Sequence, residues 1–381
     1  VILLNFRNFM KILQLGKFYP VKGGVEKVMY DLMKGLSEMG VDCDMMCASA
    51  DGGGTRIVQL NSHAELICCR TVCKLASTTI STSLLSVLKS RCGEYDIIHV
   101  HHPDPMACLA LYCSGYRGKV VLHWHSDILR QRILGRLYHP LQSWLIDRAD
   151  VIIGTSPVYI ENSEDLARAR TKSCCIPIGV LPVPYPAGMV ADIRAAFPGK
   201  KIVFSLGRLV EYKGHKTLIK AAEYLSDEYV VLIGGEGPLR ESLENQIHKA
   251  GLEDKVRLLG FVEDKDLPAL FHACDVFCLS SIQKTEAFGI AQVEAMSCGK
   301  PVVATNIAGS GTSWVNAHGI SGLNAEPGDA LALAKAILAV SKDESSYKRY
   351  SENAFERYKE MFTQQKMLKD CLRVYEKLCY C

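Results

Sequence analysis

Several marks that would settle a chain's class at once are missing from this sequence. No apolar run approaches the roughly 20 residues needed to cross a bilayer. Net charge is only +3, from 44 Lys+Arg against 41 Asp+Glu, too little to argue for nucleic acid. Residues 1–186 hold 20 basic against 16 acidic side chains and the remainder 24 against 25; so mild an excess is compatible with an anionic partner or membrane surface. The dinucleotide fingerprint G-x-G-x-x-G is absent after the first strand, and no acid ends the second strand where it would hold a ribose. Among the 16 cysteines no C-x-x-C pair has zinc spacing. Cys68-Cys69 and Cys174-Cys175 read as strand residues rather than ligands. Residues 1–9 are too short and interrupted for a signal peptide. Met10 reads as the natural start, with 1–9 an extension, and the chain is expected in the cytoplasm with reduced thiols, with attachment to the inner face of the plasma membrane left open.

What is present is an alternation of short apolar strands and amphipathic helices. With 381 residues, 48% hydrophobic and 22% charged, the chain is globular and suits two domains of about 180 residues each. Lys11–Gly16 reads as a first strand, followed by a loop to Glu26 and a helix to about Met39. The pair Gly23-Gly24 opening that helix has the form of a ligand loop, although a plain tight turn would look the same. Val41–Ala48 reads as a second strand. Its Asp42 and Asp44 have the D-x-D spacing of a divalent-cation site, yet they alternate with apolar residues and are expected together on a solvent face. A turn at Asp51–Thr55, strands at Ile57–Leu60 and Ala64–Cys69, and a Ser/Thr-rich helix lead to Tyr95–Pro103. There His99 and His101 should share one strand face and His102 the other, a poor zinc set. Lys119–Asp127 is a buried strand that stops abruptly at polar groups, as strand ends do when they line a crevice. His123 is expected to point the other way from that crevice. Leu129–Tyr138, with Arg130, Arg132 and Arg136, leaves two readings: a solvated face, or contact with a membrane or anionic lipid-linked partner.

In the second half, strands at Lys201–Leu206, Tyr229–Gly234, Val256–Leu259, Val276–Leu279 and Pro301–Ala304 alternate with helical patterns, which implies a parallel doubly wound sheet. Three successive strand ends carry phosphate-compatible groups: Arg208 and Lys213 after the first, Gly234-Gly235-Glu236-Gly237 after the second, and Glu286 to Glu294 after the strand at Val276. The helix expected over Phe288–Ser297 puts Glu294 on its second turn and Glu286 in the loop before it. Between them lie free N–H groups and the positive end of the helix dipole, which favour an anion, and Gly289 is expected to let a phosphate approach without a Cβ in the way. Two glutamates with seven residues between them could equally be a solvated face. The order carboxylate, anion site, carboxylate suits a sugar, a diphosphate and a ribose.

These motifs, in this order from Met10 to the C-terminus, strongly resemble the retaining glycosyltransferases of the GT-B fold, in particular family 4, the group 1 glycosyl transferases. The resemblance implies an α/β chain of two Rossmann-like, doubly wound parallel-sheet domains facing across a cleft: an acceptor-side domain over 1–186, a nucleotide-sugar domain over 187–362, and a terminal helix over 363–381 returning to the first domain, with Ile176–Val180 as the connection. It implies hexose transfer from a UDP- or GDP-type sugar to a glycan or polyprenyl-linked oligosaccharide in bacterial surface polysaccharide synthesis, such as lipopolysaccharide or capsule, with no cofactor, no metal and no nucleic-acid partner. By the same resemblance His125 touches the donor sugar, with Asp127 a weaker second on the acceptor side. Gly23 and Gly24 lie by the donor diphosphate and Glu26 near the acceptor. Arg208, Lys213 and the Phe288-Gly289 amides hold the diphosphate, Glu286 the sugar hydroxyls and Glu294 the ribose, while the Val262 backbone pairs with the base. His125, Glu286, Arg208 and Lys213 form the expected catalytic set. An inverting GT-B transferase or a nucleotide-sugar epimerase would share the architecture, and a non-catalytic module could keep it with a decayed site.

Overall fold

The structure, a computed structural model, describes residues 10–21, 23–50, 53–75, 78–128 and 132–380. Readings made on residues 1–9, Lys22, Asp51-Gly52, Arg130 and the side chain of Arg132 lie outside the described residues. The chain divides into two units, Val1–Ile178 with Gln364–Cys381, and Gly179–Thr363. The expected boundary after residue 186 thus falls after 178. The reason lies in Val180, whose N–H donates to the Phe362 carbonyl (2.9 Å) and whose carbonyl accepts from the Tyr358 hydroxyl (3.1 Å), tying it to the second unit. No helix among the described residues is long and apolar enough to cross a membrane.

The first unit contains β1 (Lys11–Tyr19), β2 (Asp42–Ser49), β3 (Arg56–Asn61), β4 (Ala64–Cys69), a hairpin of β5 (Cys73–Leu75) and β6 (Thr78–Ile80), then β7 (Ile97–His102), β8 (Lys119–Trp124), β9 (Val151–Gly154) and β10 (Ser173–Cys175). Its main sheet runs β10-β9-β8-β7-β1-β2-β4-β3, parallel throughout except where β3 meets β4. Strands covered on both faces lose the polar alternation of a half-exposed sheet, which is why β8 is buried from Val120 to Trp124. The winding direction reverses between β1 and β7, and the carboxyl ends of the strands flanking such a reversal are where open α/β sheets bind ligands. Helix Gly24–Glu38 buries Val28, Met29, Leu32, Met33 and Leu36 at helical spacing, and helix Gln364–Tyr380 packs on it.

Two expectations for this unit are corrected. The Ser/Thr-rich stretch forms the β5–β6 hairpin first, and a helix begins only at Thr82, where the Ser81 hydroxyl accepts from the Leu84 amide (3.2 Å). Of the two acids of D-x-D, Asp42 stays half-exposed but Asp44 does not face solvent. Asp44 is buried, accepting from the Glu65 amide (2.8 Å) and the Tyr95 hydroxyl (3.0 Å) beside Lys11, while Asp42 lies 2.7 Å from His63. A parallel strand with neighbours on both sides covers its polar side chains as well as its apolar ones.

The second unit holds β11 (Lys201–Leu206), β12 (Tyr229–Gly234), β13 (Val256–Gly260), β14 (Val276–Leu279), β15 (Val302–Thr305) and β16 (Gly322–Ala325). They form one parallel sheet in the order β13-β12-β11-β14-β15-β16, with the winding reversal between β11 and β14. Val203, Val231, Ile233, Val276 and Val303 from the strands pack with Leu218, Ile219, Leu333 and Ile337 from helices His215–Ala222 and Ala330–Val340. Each such side chain contributes about 1.5–3 kcal/mol by leaving water. The terminal helical region is two helices, Glu344–Met361 and Gln364–Tyr380, broken where the buried Phe362 ring meets Phe288 and Trp314.

Candidate active site

In the second unit several of the side chains singled out from sequence gather at the carboxyl ends of β11 and β14. Lys213 lies in the short 3-10 turn Glu211–Lys213 after β11, and its Nζ meets Glu286 Oε2 at 2.5 Å. The same oxygen accepts from the Ser281 hydroxyl at 2.9 Å. Burial pulls the Lys213 pKa down, but the neighbouring Glu286 carboxylate more than offsets this and holds it above the ordinary lysine value. Oε1 of Glu286 makes no hydrogen bond among the described residues. Arg208 is exposed and its guanidinium has no ion pair or hydrogen bond among the described residues. One cation is therefore spoken for and the other is free.

The Glu286 loop is fixed by neighbours that sequence reasoning did not single out. Ser310 donates to the Glu286 carbonyl, the Gly311 amide to the Ala287 carbonyl (2.9 Å), and Thr305 to the Ser281 carbonyl. The paired serines after β14 and the Ser310-Gly311-Thr312 run after β15 were the available signal. Helix Ile290–Ser297 starts two residues later than expected, with Gly289 as its N-cap and no side-chain cap. Gly289 adopts φ +76°, and a Cβ there would meet Leu279 Cδ2 at 2.6 Å and Gln292 Nε2 at 2.9 Å. Glycine is required by the turn and by packing, because the position of a Cβ is filled by Leu279 and Gln292. The Phe288 ring is buried against Phe362, which leaves only its backbone to any ligand. Glu294 is half-buried on the following turn. The β12 loop approaches β11 so closely that a Cβ on Gly235, at φ +135°, would lie 2.0 Å from the Gly207 carbonyl oxygen. Val262 sits beside Gly234 and helps line a pocket of about 380 Å³ with Met189, Phe261 and Asp266. His215 is buried, its pKa pushed down to about 4 by burial and by Lys213.

In the first unit the carboxyl ends of β1, β7 and β8 bring together His99, His101, His123 and His125, all buried. His101 Nδ1 lies 2.9 Å from His125 Nε2, and His101 Nε2 lies 2.8 Å from Gln14 Oε1. His123 stacks on His125, with ring centroids 4.1 Å apart and planes 11° from parallel. This corrects the expected orientation of His123: residues two apart on a strand share a face. Burial, followed by the charge of neighbouring His123 and Lys17, pushes the His125 pKa well below the ordinary histidine value. Lys17, also missed from sequence, adopts φ +57°. That conformation costs a side chain about 1–2 kcal/mol and is offset by its amide donating to Asp104 and its ammonium to the Pro103 carbonyl (2.5 Å). Gly23 caps the helix that Gly24 begins, and Glu26 is buried in its first turn. Burial raises the Glu26 pKa against the opposing pull of Lys17. Asp127 Oδ1 accepts from Trp124 Nε1 (2.9 Å) and the Ser163 hydroxyl (2.7 Å), and its amide donates to the Tyr159 hydroxyl (2.8 Å). That carboxylate holds the loop carrying His125.

Ligand atoms of His101, His123 and His125 lie within 4.8 Å of one another, but the geometry suits a metal poorly. Both His101 nitrogens are already in hydrogen bonds, and stacked, nearly parallel rings send their in-plane lone pairs side by side rather than to one point.

The description "Glycosyl transferases group 1" matches residues 191–357, and "Glycosyltransferase Family 4" matches residues 22–181. The chain is 32% identical to the O-antigen chain mannosyltransferase C of Escherichia coli, covering 97% of this chain and 99% of that protein. It is 31% identical to the D-rhamnosyltransferase WbpZ of Pseudomonas aeruginosa, covering 93% and 92%. Among solved structures, the sucrose-phosphate synthase of Thermosynechococcus elongatus superposes with a TM-score of 0.80 at 21% identity over 97% of this chain and 99% of that one. The Anabaena protein HepE in complex with UDP gives 0.77 at 22%, over 97% and 100%.

Proposed function

The chain belongs to the group 1 glycosyltransferases and has the GT-B fold, and from that premise we propose that it is a retaining, metal-independent hexosyltransferase. Its donor is a UDP- or GDP-type sugar, and its acceptor a glycan or lipid-linked oligosaccharide in bacterial surface polysaccharide synthesis. The named activities of the O-antigen mannosyltransferase and the D-rhamnosyltransferase support the choice of pathway. The observation that carries the reading is Glu286, whose Oε2 is held by Lys213 and Ser281 while Oε1 is left to accept from a sugar hydroxyl.

As the glycosidic bond breaks, negative charge grows on the departing diphosphate. The free Arg208, Lys213 and the first-turn amides of helix Ile290–Ser297 neutralise that charge better in the transition state than in the ground state, the task a divalent cation performs elsewhere. Glu286 and Glu294 orient the sugar and the ribose as hydrogen-bond acceptors, the Val262 backbone meets the base, and His125 accepts from a hydroxyl of the transferred sugar. Glu26 stands on the acceptor side. The acceptor attacks the face that the diphosphate leaves, and the diphosphate takes up the acceptor proton, so the anomeric configuration is kept. Thermal-shift screening against UDP-, GDP- and ADP-sugars in EDTA selects the donor, and proton NMR of the first transfer product reads its anomeric form. Retention without added metal is expected. Inversion, or an absolute need for a divalent cation, refutes this mechanism.

A further inference from the structure

Gln14 lies on β1, two strands from β8, and nothing in its sequence context marks it. It is nevertheless fully buried, and the structure places its amide nitrogen toward Tyr375 and Cys43 and its amide oxygen toward His101. Nε2 faces the Tyr375 hydroxyl at 3.3 Å and Cys43 Sγ at 3.5 Å, while Oε1 faces His101 Nε2 at 2.8 Å. With the amide placed this way its oxygen accepts, so His101 carries its proton on Nε2. A neutral imidazole protonated there offers Nδ1 as an acceptor, and among the described residues the group against Nδ1 is His125 Nε2, 2.9 Å away. The ring planes are 14° from parallel with centroids 5.2 Å apart, the spacing of an edge-on N–H···N bond. His125 therefore donates from Nε2, and its Nδ1 makes no hydrogen bond among the described residues.

We propose that Gln14 and His101 are positioning residues for His125: the relay from Gln14 through His101 fixes His125 as the Nε2-protonated neutral tautomer, so that Nδ1 accepts a hydrogen bond from a hydroxyl of the transferred sugar. The role of His125 rests on the function proposed above; the relay itself does not. The arrangement has a chemical logic. A breaking glycosidic bond leaves positive charge on the sugar ring, which an imidazolium would oppose and a neutral acceptor would not. Other groups around the stack keep it neutral. His99 and His123 lie against it, Lys17 adds positive charge nearby, and among the described residues Tyr375 and Cys43 rather than a carboxylate close the far side.

Nitrogen-15 spectra of the histidine rings test this directly in the full-length protein without substrate, with His125→Gln locating the His125 signals. At pH 7 the wild-type protein should show His125 with a pyrrole-type Nε2 and a pyridine-type Nδ1. Gln14→Glu puts a carboxylate on His101 Nε2, allows His101 to hold both protons, and should invert the His125 pattern; Gln14→Leu should leave a mixture. With the donor selected by screening, Gln14→Glu should lower kcat about tenfold, the weight of one hydrogen bond, while KM for the donor stays within twofold. A wild-type His125 protonated on Nδ1, or on both nitrogens, overturns the relay even if no variant folds. So does a His125 pattern unchanged in a folded Gln14→Leu. An intact pattern in a protein without transferase activity overturns the proposed function and leaves the relay standing.

Discussion

The two units carry their candidate groups at equivalent places, the strand ends beside the reversal in sheet winding, yet they fill them with opposite chemistry. Beside β1 and β7 the first unit buries uncharged imidazoles joined by hydrogen bonds to Gln14 and Tyr375. Beside β11 and β14 the second presents charge: a Lys213–Glu286 pair, a free Arg208 and an uncapped helix start. A topological reversal supplies a place where backbone and side chains can reach a ligand, but it does not dictate what that place holds. On the function proposed above, the charge of the second unit would serve a polyanion and the imidazoles of the first would serve hydrogen bonding to a sugar.

The largest effect should come from removing the charged groups of the second unit. Glu286→Ala, Lys213→Ala and Arg208→Ala should each lower transfer by at least about 100-fold, measured as donor turnover by purified folded protein, and near-normal turnover would erase the contrast. Stability should then separate the two cations. Lys213→Ala leaves Glu286 in a largely buried site without its partner, at a cost of about 3 kcal/mol, which lowers Tm by roughly 6–12 °C in a unit of this size. Arg208→Ala should leave Tm within about 2 °C, because nothing among the described residues leans on that side chain.

Acid should sharpen the comparison from the other side. In the unfolded chain histidines take up protons near pH 6.5. In the first unit burial pushes His102 and His123 down to about 3 and holds His99, His101 and His125 well below their usual value. In the second unit only His215 is shifted this way among the described residues, to about 4. The unfolded form then binds more protons, so stability falls as pH drops below 6.5, with five such groups in one unit against one in the other. Hydrogen exchange at pH 7 and pH 5 should show the first unit losing protection more steeply; equal loss in both would contradict the buried neutral cluster. The smallest effect is expected of Asp42→Ala, which removes a half-exposed pairing with His63 and should change stability by less than about 1 kcal/mol and transfer not at all.

Much of this was legible in the amino-acid order, and the remainder fails for identifiable reasons. Strands such as Lys201–Leu206 and Tyr229–Gly234 are continuous apolar runs closed by glycine or polar residues, and they appear with the bounds read from sequence. The paired strands Cys73–Leu75 and Thr78–Ile80 and the strand Gly322–Ala325 were missed, because these short polar or glycine-bearing segments lack the continuous apolar run that marked the equally short Val276–Leu279. The acidic and basic side chains after β11 and β14 were visible as local motifs; their pairing spans 73 residues of chain and was not. Gln14 and Tyr375 lie 361 residues apart, so their meeting beside His99 and His101 is a product of helix Gln364–Tyr380 docking on the first unit. Gly289 was read as leaving room for a phosphate, whereas its φ of +76° and the side chains a Cβ would meet show a need from the turn and the packing, which depend on Leu279 and Gln292 and not on the local motif alone.

Isothermal titration in EDTA is the most direct test of the central claim, that side chains and amides of the second unit hold a nucleotide-diphosphate sugar without a metal. The account predicts that at least one UDP- or GDP-sugar binds the wild-type protein and that Arg208→Ala weakens it at least about tenfold, the worth of one charged hydrogen bond. Binding that appears only when a divalent cation is added, or that Arg208→Ala leaves unchanged, would contradict it.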